Sequence, residues 1–260
     1  MKLTLREWQR MGKADIIIQA VHPDGSDRCV PFPIGMHHSY IANYHGAHEL
    51  LILMAHNLTN DAKRRPNPPN RRSMTEALIA RGIVYHRLSP ESYFATLPHY
   101  KFVISPEGRG IDCHRTYEAL MAGCIPIVED SPHIRKVYEG CPILYTTDYS
   151  ELTVGRLELK YNEMLDTVWD FSRLFMSYYD METQATIKMY TNLGLKFLAG
   201  WKKDMYNISK KDTERIMKEI GEPWRYINGE SDYDRIMNLL SPEQIEIARE
   251  IIRKQELCKV

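Results

Sequence analysis

"KFVISPEGRGIDCHRTYEALMAGCIPIVED" covers residues 101–130 and holds the pattern that decides the fold. An apolar run, KFVIS (101–105), meets a polar turn with two glycines. A helical stretch, DCHRTYEALMAG (112–123), follows, and then a second apolar run, CIPIVED (124–130). Both runs are continuously apolar rather than alternating, which suits strands covered on both faces. Strand, helix and strand at this spacing predict two parallel neighbours in one sheet.

The pattern extends outward in both directions. ADIIIQAV (14–21), ELLILMAH (49–56), GIVYHR (82–87) and CPILYTT (141–147) read as further strands. NRRSMTEALIARG (70–82) reads as a helix ended by Gly82, and Gly123 ends the helix that Asp112 opens as N-cap. SPHIRKVYEG (131–140) has Ser131 as cap and Pro132 in the first turn. The fold class is therefore α/β, with a doubly wound Rossmann-type sheet over residues 47–150. A reduced N-terminal segment, 1–46, precedes it. From residue 151 to 260 the strand signal disappears and a helical region is expected, packing back on the N-terminal side, with Trp169, Phe171, Phe175, Tyr178 and Tyr179 as core.

In an open α/β sheet, ligands sit beyond the carboxyl ends of the strands. Two polar segments fall there. NLTNDAKRRPNPPNRR (57–72) is a long loop rich in Pro, Asn and Arg. SPEGRGIDCHR (105–115) supplies Ser105, Glu107, Gly108, Gly110, Asp112, His114 and Arg115, with Glu118 one turn further on the face of His114. Gly108 and Gly110 let the backbone approach a ligand closely. The helix start at Asp112 presents N–H groups and the positive end of its dipole, which suits a phosphate. Arg115 offers a forked contact to the same group, and the Glu118 carboxylate is placed to accept from ribose hydroxyls.

Residues 100–155 resemble the signature segment of exostosin-like glycosyltransferases, in the compact forms of large DNA viruses and bacteria. PFPIGMHHSYI (31–41) and YEGCPILYTTDYSELT (138–153) are similar to the flanking segments. The resemblance implies a GT-B-like fold whose Rossmann-like half binds a UDP-sugar, with xylose or a related pentose or hexose as the sugar. It implies Glu118 on the ribose and the backbone of 108–115 on the diphosphate. It also implies an arginine from the loop after the first strand; Arg72 is the first choice, with Arg71 and Arg65 as competitors. About 46 residues before the nucleotide half are too few for a second sheet domain. The helical tail or a second copy of the chain, as a homodimer, would complete the acceptor side. A non-catalytic nucleotide-sugar-binding subunit is the alternative reading.

An inverting transfer needs a base for the acceptor hydroxyl. His37, His38 and Asp24 are the expected catalytic residues, from the segment before the sheet. Charge on the leaving diphosphate is expected to be met by helix N–H groups, Arg72 and Arg115, with no metal and no further cofactor. Asp232 and Asp234 form the one Asp-x-Asp string and read as a helix start. His45 and His48 have HxxH spacing without a third ligand.

Bulk properties exclude several other classes. Lys plus Arg and Asp plus Glu both number 34, so the chain exerts no global pull on nucleic acid or an anionic membrane. Five scattered cysteines without CxxC spacing suit reduced thiols. With no signal peptide or membrane span read from the sequence, a cytoplasmic location is expected, the host's if the chain is viral.

Overall fold

The computed structural model describes residues 1–11, 31–37, 46–188, 190 and 191. The expected strand at 14–21, and Asp24, His38, His45, Asp232 and Asp234, lie outside the described residues. Residues 1–18 and 25–179 form one compact unit, and 19–24 with 180–260 a second. Of the second unit, 180–188, 190 and 191 are described and are helical from 181.

The first unit is α/β, with a four-stranded parallel sheet compatible with a Rossmann-like domain. Its strands are β2 (Leu50–Leu53), β3 (Tyr100–Ile104), β4 (Ile125–Glu129) and β5 (Leu144–Thr146), in that spatial order. Phe102, Val103, Ile104, Ile125 and Ile127 are fully buried, as continuous apolar runs require. GIVYHR (82–87) does not form a full strand. It contributes one parallel bridge, Tyr85 to Met54, with His86 N–H donating to Met54 O at 2.9 Å. Since β3 occupies one flank of β2, this bridge falls on the other. The chain therefore leaves β2 toward one side of the sheet and returns on the opposite side as β3. The crevice beyond the ends of β2 and β3 is the topological switch point, where α/β sheets take ligands.

The helices between the strands are α2 (Arg71–Ala80), α3 (Pro90–Thr96), α4 (His114–Met121) and α5 (Pro132–Val137). The glycine stops act as expected. Gly123 lies at φ 78°, and Cys124 N–H donates to Ala119 O (2.8 Å) while Gly123 N–H donates to Leu120 O (3.0 Å). This pair of bonds is a Schellman ending. Gly82, at φ 87°, ends α2 in the same way, through Ile83 to Leu78 O and Gly82 to Ile79 O.

Two sequence expectations are corrected. Asp112 is not the N-cap of α4; that position is Cys113. A buried network holds the Asp112 carboxylate instead, as described below. Nor does strand structure end at residue 150. After α6 (Val154–Leu165), residues Val168–Asp170 form β6, antiparallel to β1 (Lys2–Thr4) at the N-terminus. A three-residue strand carries too little pattern to read, and its partner is distant in sequence. The N-terminal residues thus belong to the sheet unit. Thr4 and Glu7 form a capping box that starts α1 (Leu5–Arg10). The fully buried Trp8 stacks on Phe171 at 4.0 Å and donates from Nε1 to Leu120 O at 2.6 Å. Phe171 and Phe175 are core, whereas Tyr178 is exposed.

Candidate functional site

The loops after β2 and β3 are tied together by one arginine. Arg71 is buried, and its guanidinium donates to three backbone carbonyls: Glu107 O (2.7 Å), Pro106 O (2.8 Å) and Asn57 O (3.0 Å). Two of these belong to the β3 loop and one to the β2 loop. Its own backbone N–H donates to the buried Asp61 carboxylate at 2.7 Å. Around it, Arg64 pairs with Glu107, and Arg65 pairs with Asp61 (3.1 Å) and Glu129 (2.6 Å). Glu107 N–H donates to Glu129 Oε2 at 2.6 Å. Three arginines and three carboxylates thus balance one another across the ends of β2, β3 and β4. Arg65 and Arg71, expected as competitors for a diphosphate, are engaged in this framework. Arg72, in the first turn of α2, is exposed.

The start of α4 is built differently. Thr4, Asn70, Ser89, Ser131 and Thr153 cap α1, α2, α3, α5 and α6 through their side chains, while no side chain caps α4. The first N–H groups of a helix have no intrahelical partner, so this end is open to an acceptor. Arg115 lies in its first turn, over the Tyr93 ring at 5.2 Å, and its Nε is buried with no hydrogen-bond partner among the described residues.

Side chains of the same region also anchor residues 31–37. Asp112 Oδ2 accepts from Ile34 N–H (2.9 Å), and both Asp112 oxygens accept from Tyr138 Oη (3.0 and 3.1 Å). Burial pushes Asp112 up to about 6, against these hydrogen bonds. His114 Nδ1 donates to Gly35 O at 2.8 Å, and its ring meets that of His37 edge to face at 5.5 Å. Glu118 is 4% exposed. Burial raises its carboxyl to about 7, opposed by Arg115, the His37 backbone N–H and the Tyr93 hydroxyl. Of the sequence-derived residues, the structure therefore brings His37, Asp112, His114, Arg115 and Glu118 together.

Ser105 Oγ, buried, bonds Thr116 Oγ1 at 2.9 Å and Cys113 Sγ at 3.2 Å, fastening the strand end to the helix. Gly108 N–H donates to Gly110 O at 2.9 Å, closing the turn between them. Gly108 has a protein reason for lacking a side chain, since a Cβ would stand 2.9 Å from Arg71 Nη2. Sequence reasoning missed Asp61, Tyr93, Glu129 and His56. His56 is the clearest omission: it follows the apolar run 50–55 directly, which places it just beyond the carboxyl end of a parallel strand.

Among the described residues, no group of three or more His, Cys, Asp or Glu side chains could hold a metal ion, and no helix is long and apolar enough to cross a membrane. No protein-family model matches the chain, and no curated protein matches it.

Proposed function

We propose that the chain is a glycosyltransferase of GT-B type that binds a UDP-sugar at the β2–β3 crevice and moves the sugar to a glycan acceptor. The observation that carries this reading is the uncapped start of α4 at the switch point, with Arg115 in its first turn and the buried Glu118 one turn on. In the reaction, the acceptor oxygen bonds the anomeric carbon as the carbon–oxygen bond to the diphosphate breaks. The bonding pair stays on the leaving diphosphate, and the acceptor proton passes to a base. Helix N–H groups, Arg115 and the exposed Arg72 meet the negative charge in place of a metal ion. His37, beside His114 and Glu118, is the base among the described residues. Glu118 takes ribose hydroxyls with the lone pairs that the His37 N–H and Tyr93 leave over.

The non-catalytic alternative draws on a separate observation: among the described residues there is no second parallel sheet to bear the acceptor. Calorimetric titration with UDP, followed by product analysis with UDP-sugars in EDTA, tests both. UDP should bind, and Glu118→Ala should weaken it by about 1–3 kcal/mol. Turnover should persist in EDTA; turnover restored only by Mn²⁺ or Mg²⁺ would overturn the metal-free mechanism. Binding without turnover would favour the alternative, and failure to bind UDP would sink both.

A further inference from the structure

His56 lies three residues past the end of β2, in the loop that leads to the switch point, and is 4% exposed. Its hydrogen bonds fix the tautomer. Thr75 Oγ1 gives its one proton to Arg71 O at 2.7 Å, so toward His56 Nε2, at 2.9 Å, it can only accept. The imidazole proton therefore sits on Nε2, and Nδ1 carries a bare lone pair. Burial first, then the nearby charges of Arg115 and Arg71, hold the ring far below its ordinary value, at about 2, so it stays neutral. Nδ1 is buried and has no hydrogen-bond partner among the described residues. Nearby Arg115 carries the complementary vacancy, a buried Nε–H donor with no partner among the same residues. Unmatched buried polar groups are uncommon in native proteins, and here an acceptor and a donor lie near enough for the charge of Arg115 to act on His56. A fully ionised phosphate could answer Arg115 but has no proton for Nδ1. A hydroxyl answers both.

We propose that His56 is a further ligand-contacting residue, whose Nδ1 accepts the O–H of a hydroxyl on the bound nucleotide-sugar while Arg115 Nε donates to that hydroxyl's oxygen. This rests on the nucleotide-sugar reading above. The hydroxyl belongs either to the ribose or to the transferred sugar, and the test separates the two.

Calorimetry with pyrophosphate, UDP, 2′-deoxy-UDP and UDP-glucose would be run on the wild type and on two variants. His56→Asn keeps an acceptor near the Nδ1 position, and His56→Gln keeps a partner for Thr75 but places none there. The Gln variant should lose about ten-fold in affinity, the Asn variant about three-fold or less, and pyrophosphate should bind all three alike. A loss on UDP that vanishes with 2′-deoxy-UDP assigns the ribose 2′-hydroxyl. A loss confined to UDP-glucose assigns the sugar. Should His56→Gln fail to fold, Thr75→Val releases the tautomer and should weaken the same probe. Equal affinities across the variants, or equal losses on pyrophosphate, would overturn the proposal while leaving UDP binding intact. A wild type that binds neither UDP nor UDP-glucose overturns the function reading, and this one with it.

Discussion

A Cβ at Gly108 would lie 2.9 Å from Arg71 Nη2 and 3.5 Å from its central carbon. That guanidinium cannot retreat without stretching hydrogen bonds to three carbonyls from two loops. Gly108→Ala should therefore destabilise the fold by about 1–3 kcal/mol, seen as a lower urea midpoint with an unchanged slope. A stability equal to wild type would show that the arginine has slack. The same residue shows the reach of sequence reading at this scale. A glycine in a polar loop at a strand's carboxyl end was legible as a close approach, but the identity of what approaches was not. The neighbour is an arginine 37 positions earlier in the chain, and no local pattern encodes that contact. Asp112 tells the same story. An aspartate just before a helical run has the composition of an N-cap, yet Ile34 N–H and Tyr138 Oη claim its oxygens from distant segments.

Helix endings were legible because their causes are local. A left-handed residue is needed within one turn of the stop, and glycine is the residue that adopts it at low cost. Gly82 and Gly123 separate that backbone requirement from packing. Nothing lies within 4 Å of a Cβ at Gly82, whereas one at Gly123 would meet Gln9 Cγ at 2.7 Å. Gly82→Ala should cost about 1–2 kcal/mol, for the backbone alone. Gly123→Ala should cost more, because α1 must also shift, and Gln9→Ala should recover part of the difference. Thermal melts of the three variants check this; equal losses at the two glycines would mean that α1 yields freely. Strand β6 was not legible for the opposite reason. Its register is set by β1, and its three residues VWD have no periodicity of their own.

The parallel character of the sheet follows from the continuous apolar runs, but its spatial order does not. That order is set by the β2–β3, β3–β4 and β4–β5 pairings, and the Tyr85 bridge on the outer flank of β2 then places the crevice. The whole molecule's response to pH follows from what the unit buries. Asp112 and Glu118 are raised to about 6 and about 7, so each takes up a proton on folding between about pH 4 and 7, while His56, held neutral at about 2, gives one up below its ordinary value of about 6.5. Stability should therefore fall as pH rises between about 5 and 7, less steeply than the two carboxyls alone would make it. Asp170, held at about 2 foremost by the Ser172 hydroxyl, acts in the opposite sense: its contribution is present above about pH 4 and is lost as pH falls through 2. Glu118→Gln keeps an acceptor for the His37 N–H and removes the buried charge. It should flatten the decline between pH 5 and 8 by about 1–3 kcal/mol in urea unfolding. An unaltered pH profile would show that Glu118 is ionised in the fold throughout that range.

Because Arg71 is fastened to carbonyls on both sides of the crevice, its two walls cannot be exchanged separately. Grafting a foreign segment in place of 105–112 would displace the backbone carbonyls on which that side chain depends, and grafting one in place of 57–70 would disturb the platform from which it reaches. Efforts to redirect ligand choice by chimaera-building would have to carry both segments across as one cassette.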